Sequence, residues 1–299
     1  MNKKILGVYA VDCTAFDEEG NFDEAAYRRH IRYLVDTCKV YGIVHAGSTG
    51  EFAFLTREER SRVVQAAIDE VAKKVPVFAG SAACATSETI SYCQMAEKMG
   101  ADGVMVVSPY YGHLSQEELY QHFASVAQSI DLPIILYNNP GAAGSDVLPA
   151  TLERLAKFEQ IAAVKESTGI MQRVTDIMRM CGNQVQVLCG CDTLPLEMFA
   201  MGVEAWVAAP ANVIGKQCVE MYQQAVVKKD YVKARELYYE ILPLMDLFET
   251  TGQYVQLAKA ALEMMGMPVG KPRPPLLPPG ADLLKTLKEQ LELAYHQKF

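Results

Sequence analysis

A lysine closes an otherwise apolar run, "IAAVKES", as Lys165, and one strand-length run earlier a tyrosine closes "PIILYN" as Tyr137. Lysine is rarely buried without a reason. A free lysine titrates near about 10.4, so keeping it neutral at pH 7 costs roughly 4.6 kcal/mol unless its surroundings lower that value. Desolvation among apolar strands lowers it, and a neutral amine is the form that attacks a carbonyl. The chemistry to expect is condensation of Lys165 with a keto substrate to give a Schiff base. The competing role is a structural lysine paired with Glu166 or Asp192, but successive strand side chains point to opposite faces, which turns Glu166 away. Imine formation also moves protons to and from a carbinolamine oxygen, and a tyrosine hydroxyl beside the amine can carry them. Tyr137 alone would read as an aromatic packing residue, and its pairing with Lys165 reverses that preference.

Two further stretches supply polar groups. "GSTGE", Gly47 to Glu51, offers two hydroxyls and two glycines in a tight turn, a composition that lets backbone N–H groups approach a carboxylate or a phosphate. Gly and Ser also fill many ordinary turns, so this motif is weak by itself. "SPYYG" adds Tyr110 and Tyr111, for which packing is the default role.

These residues need a scaffold that gathers strand ends. Eight β-rich apolar runs begin at Ile5, Gly42, Val75, Gly103, Pro133, Ile161, Val185 and Glu204, and amphipathic segments with Thr or Ser at their starts separate them. Continuous apolar strands alternating with such helices predict a parallel sheet covered by helices. Eight units fit an α/β fold of the (β/α)8 TIM-barrel type better than an open doubly wound sheet, for which no Gly-rich dinucleotide fingerprint is present. In that barrel the reactive groups sit at the C-terminal strand ends, where the lysine, the tyrosines and "GSTGE" all fall. After Pro210 the pattern is helical only, interrupted by the proline-rich "MPVGKPRPPLLPPG". We expect a barrel over residues 1–225 and a C-terminal helical domain over 226–299.

Composition narrows the partners. The chain has 299 residues, half of them hydrophobic, with 36 acidic against 28 basic side chains for a net charge of -8. Nucleic acid and anionic membrane surfaces are poor partners for such a balance. Its eight cysteines and five histidines are scattered, and the one CxC, Cys189 and Cys191, reads as small core residues, so no metal site is expected. The opening "MNKKILGVYAVDCTAF" reads as a first strand rather than a signal peptide, and no apolar run reaches the roughly 18 residues of a membrane span. A cytoplasmic protein is expected.

Taken together, "GSTGE", "SPYYGHLSQEELYQHF", "LPIILYNNPGAAG" and "VKESTG" resemble, in order and spacing, the class I lysine-dependent pyruvate aldolases typified by dihydrodipicolinate synthase and N-acetylneuraminate lyase. The resemblance covers nearly the whole chain. It implies a barrel with a helical C-terminal domain, assembled as a homotetramer, a dimer of tight dimers. It implies that Lys165 forms an imine with a 2-keto acid, commonly pyruvate, with no other cofactor. By motif position Tyr137 would shuttle protons, linked to Ser48 and to a Tyr111 reaching in from the neighbouring subunit. Ser48 and Thr49, with Gly47 in the same turn, would hold the carboxylate, and Gly190 and Val207 would line the pocket, mainly through their carbonyls.

One position departs from that pattern. The synthases carry an arginine two places after the loop proline to bind the second substrate's carboxylate, and here that place is Ala142. A charge-assisted bidentate contact is among the strongest of polar contacts, so its loss changes the substrate. The co-substrate thus stays open between an aldehyde and a sugar acid. Dehydratases of keto-deoxy sugar acids, a deaminase of hydroxypyrroline carboxylate and N-acetylneuraminate lyase-like aldolases use the same imine. A non-catalytic keto-acid sensor would have no need for the proton relay. A phosphate-binding barrel would place its anion after strands seven and eight, where "CGCD" and "AAPAN" form no cradle.

Overall fold

Eight parallel strands close into a barrel in sequence order, each hydrogen-bonded to the next and the last to the first. The computed structural model describes residues 4–299. The strands are β1 (Gly7–Val11), β2 (Gly42–His45), β3 (Val77–Gly80), β4 (Gly103–Val107), β5 (Ile134–Asn138), β6 (Ile161–Glu166), β7 (Gln186–Cys189) and β8 (Ala205–Ala208). Every apolar run read as a strand is one. The runs are continuous because both faces are covered, inward positions filling the barrel and outward positions meeting helices. On β5, Ile135 and Tyr137 join the inner cluster while Ile134 and Leu136 join the outer one.

The helices around the barrel are α1 (Glu24–Arg32), α2 (Arg57–Val71), α3 (Thr86–Met99), α4 (Gln116–Ala127), α5 (Pro140–Ala143), α6 (Pro149–Leu155), α7 (Met171–Cys181), α8 (Pro195–Ala200) and α9 (Ala211–Tyr222). Thr56 and Ser115 start α2 and α4 with complete capping boxes, closed by Glu59 and Glu118. In "TSETISY" the structure differs from the expected cap: Thr86 lies inside α3, and Ala85 precedes it with no side-chain bond. Only helices follow β8: after α9 come α10 (Tyr231–Thr251), α11 (Tyr254–Met264) and α12 (Ala281–Tyr295). The proline-rich stretch between α11 and α12 runs back over the barrel mouth, where Phe16 N donates to Val269 O at 3.0 Å. Gly270 is obligatory there: its φ is +77°, and a Cβ at this position would lie 1.9 Å from Phe16 O.

His45, at the end of β2, is fully buried, and neither ring nitrogen has a hydrogen-bond partner among the described residues. Burial pulls its pKa down from 6.5 to about 3. A base with a lowered folded pKa costs stability below pH 6.5, because the unfolded chain then binds the proton that the folded chain refuses. His45→Leu should therefore flatten the acid side of a Tm–pH curve, gaining up to about 1.4 kcal/mol per pH unit below 6.5 relative to wild type. Parallel acid limbs for the two proteins would contradict the assignment.

Candidate active site

Strand register sets Tyr137 beside Lys165 and Lys165 beside Leu188, so all three side chains enter the barrel together. Lys165 is 6% exposed, and its Nζ lies 4.1 Å from the centroid of the Tyr137 ring. Both carboxylates weighed as structural partners are committed elsewhere. Glu166 faces outward and accepts from Asn138 Nδ2 at 3.1 Å and from Thr168 N at 2.8 Å. Asp192 accepts from Trp206 Nε1 at 2.8 Å. Burial pushes the Asp192 carboxyl up to about 7, against the pull of the Lys165 charge and of that indole bond.

Gly190 makes room for the lysine. A Cβ there would fall 2.1 Å from Ser167 Oγ and 2.6 Å from Lys165 Cγ. Ser167 Oγ is buried beside the lysine stem with no hydrogen-bond partner among the described residues. Val207 is fully buried in the inner cluster with Leu188 and Tyr137. Cys189 and Cys191 are buried free thiols, as expected of core residues. Among the described residues, no group of three or more His, Cys, Asp or Glu is placed to hold a metal.

The "GSTGE" turn lies across the mouth. Gly47, Ser48, Phe52, Met105, Val107 and Tyr137 line one small cavity, so the turn and the tyrosine face the same space. Thr49 is buried in the turn while Ser48 is exposed at its tip. The turn is bracketed by two non-glycine residues in left-handed conformation, Ala46 at φ of 49° and Glu51 at φ of 59°. Each costs on the order of 1 kcal/mol or more and persists only where surrounding contacts enforce it.

Two expectations are modified. "YNNPGAAG" is not an irregular loop: Pro140–Ala143 form one helical turn, ended by Gly144 at φ of 69°. Asn139 caps that turn, its Oδ1 accepting from Ala142 N at 3.1 Å. Its Nδ2 donates to the Tyr137 hydroxyl at 2.8 Å, a partner within the chain beyond the expected link with Ser48, which lines the same cavity as the tyrosine. An Asn-Pro pair with Pro at the first helical position was the available signal for the cap, although the bond to Tyr137 left none. Tyr111, in turn, is 89% exposed.

A buried amine at the end of strand six of a closed barrel, set over a tyrosine ring that shares a cavity with a hydroxyl-rich turn, is the arrangement of a lyase of the lysine-dependent aldolase class. The chain belongs to the dihydrodipicolinate synthetase family, whose model matches residues 4–294. It is 36% identical over 269 residues to the 4-hydroxy-tetrahydrodipicolinate synthase of Pelobacter propionicus, covering 90% of this chain and 92% of that one. The enzyme of the same name from Methanopyrus kandleri is 36% identical over 294 residues, covering 98% and 97%. The crystal structure of dihydrodipicolinate synthase from Aquifex aeolicus superposes with a TM-score of 0.93 at 33% identity, covering 99% of each chain.

Gly190→Ala tests the lysine's position. The methyl group must displace the Lys165 stem, and a misplacement near 1 Å lowers the rate of imine formation by roughly a hundredfold with the circular dichroism spectrum unchanged. Wild-type imine formation in this variant would show that the stem has room to spare.

Proposed function

We propose that the protein condenses Lys165 with pyruvate or another 2-keto acid and then makes or breaks a bond at the carbon next to the imine. The observation that carries this reading is a buried lysine whose neighbouring acids are committed elsewhere and whose amine lies over a tyrosine ring. The amine adds to the keto carbon, the carbinolamine oxygen takes a proton and leaves as water, and an iminium cation results. The Tyr137 ring face stabilises that cation, worth up to about 2 kcal/mol in a desolvated site. Because the Tyr137 hydroxyl accepts from Asn139, its own proton remains free to serve the carbinolamine oxygen. Loss of a proton from the adjacent carbon gives an enamine that attacks an aldehyde in synthesis; in cleavage the aldehyde leaves, and the enamine that remains on Lys165 is protonated and hydrolysed to free the keto acid and the amine. No external cofactor enters these steps.

Ser48 and Thr49 are the carboxylate site in this reading, through hydroxyls and backbone N–H groups, with Gly47, Gly190 and Val207 shaping the pocket. Tyr111 completes the relay from a second copy of the chain. Its exposure supports that role, since a large aromatic left in water beside an active site is a surface awaiting a partner. The family resemblance supports a homotetramer built from tight dimers, acting in the cytoplasm.

Ala142 decides the second reactant. The relatives' shared name supports synthesis of a hydroxy-tetrahydrodipicolinate, but the α5 turn presents an exposed alanine and no cation where a second carboxylate would dock. The uncharged turn favours an aldehyde without a carboxylate at that end, or dehydration or deamination of a keto-deoxy sugar acid or hydroxypyrroline carboxylate through the same imine. The unpartnered Ser167 hydroxyl is suited to a neutral, hydroxylated reactant.

Borohydride reduction in the presence of pyruvate should add one pyruvate-derived mass to the intact protein and none to Lys165→Ala. An unmodified wild type, or equal labelling of the variant, would remove the Schiff-base reading. Tyr111→Phe should lower turnover by about a hundredfold or more without changing the fold, the usual weight of a proton-transfer group; an unchanged rate would take Tyr111 out of the relay.

A further inference from the structure

The turn proposed to hold the keto-acid carboxylate is gripped from outside the barrel. Glu51 Oε1 lies 2.6 Å from Lys259 Nζ of α11, and both side chains are withdrawn from solvent, at 0% and 1% exposure. Glu51 Oε2 accepts from Arg273 N at 2.7 Å. Lys259 Nζ also donates to Lys271 O at 3.1 Å and stands 4.2 Å from the centroid of the Phe16 ring. The Arg273 guanidinium forks onto Glu59 at 2.8 and 2.7 Å and donates to Phe54 O at 2.8 Å, just beyond the turn. Two elements distant in sequence, α11 and the proline-rich strap, thus converge on one carboxylate of the "GSTGE" turn.

A buried ion pair is a costly way to gain stability, because desolvation offsets most of the attraction. Here the pair sits where the backbone is strained. Glu51 is itself left-handed at φ of 59°, its N–H bonds to Ser48 O at 3.0 Å, and Phe52 N bonds to Gly47 O at 3.3 Å. Rotation of Glu51 would therefore drag the Ser48 carbonyl and reorient the 48–49 peptide.

We propose that Lys259 and Arg273, acting through Glu51, are positioning residues for the keto acid: they hold the Ser48–Thr49 peptide in the strained conformation that receives a carboxylate. The inference rests on the Schiff-base reading and adds a function for α11 and the strap, which meet the turn at Glu51.

The test compares Glu51→Gln and Lys259→Met with wild type in borohydride trapping of pyruvate and of acetone, a ketone without a carboxylate. Leu287→Ala, a cavity in α12, serves as a destabilised control away from the turn. The clamp predicts that both variants need about tenfold more pyruvate for half-saturation, with the saturating rate and acetone trapping within about twofold of wild type. Leu287→Ala should lower Tm and leave the pyruvate-to-acetone preference alone. If Lys259→Met does not fold, Glu51→Gln alone supplies the readout, since it keeps the side-chain shape and can still accept from Arg273 N while removing the charge opposite Lys259. Equal losses for pyruvate and acetone, or a preference that stays at the wild-type value, would overturn the clamp. A wild type that traps neither ketone would instead sink the Schiff-base reading, and the clamp with it.

Discussion

A buried amine whose nearby carboxylates are hydrogen-bonded to other groups is the constraint around which this barrel is arranged. Removing an ammonium group from water costs several kcal/mol, and proteins ordinarily offset that with a paired acid. Here the register of β5, β6 and β7 delivers Lys165 to the barrel interior between Tyr137 and Leu188, while alternation sends Glu166 to the outer face. The acids nearby are then bound to other groups: Glu166 to Asn138 and the Thr168 amide, Asp192 to the Trp206 indole. Gly190 completes the arrangement by leaving space where any side chain would strike the lysine stem. The result is a buried amine set over the Tyr137 ring, the geometry on which the proposed imine chemistry rests.

The helices beyond the barrel belong to the same device. They grip a turn with two left-handed non-glycine residues, a conformation that the turn's own sequence would not hold in isolation. The lysine of β6 and the turn after β2 are thus held in place by different parts of the chain. One depends on strand register, the other on a buried ion pair with α11 and a backbone bond to the strap.

Much of the first part was legible in the sequence, because it obeys short-range rules. Strands buried on both faces leave continuous apolar runs, and a single charge at the end of such a run stands out. The two-residue alternation correctly turned Glu166 away from Lys165. What the sequence hides depends on distance or on geometry finer than composition. Arg273 meets Glu51 from 222 positions away, and no local pattern announces that bond. Asn139 reads as a loop amide, yet its two ends do two jobs, capping α5 and bonding Tyr137. Tyr111 could be named by resemblance, but its exposure emerges only when the barrel is closed and nothing of its own chain covers it. The departure at Ala142, by contrast, needed no structure to be seen; the fold adds that it sits on an ordered helical turn.

The central claim is that Lys165 is the point of covalent attachment and the Ser48–Thr49 turn is the seat of the carboxylate. A crystal structure of the protein soaked with pyruvate tests both at once. The account predicts continuous density from Lys165 Nζ to the keto carbon, with the carboxylate against the hydroxyls and amides of residues 48 and 49. Pyruvate bound without a covalent link, or attached to Lys165 with its carboxylate turned away from that turn, would contradict it.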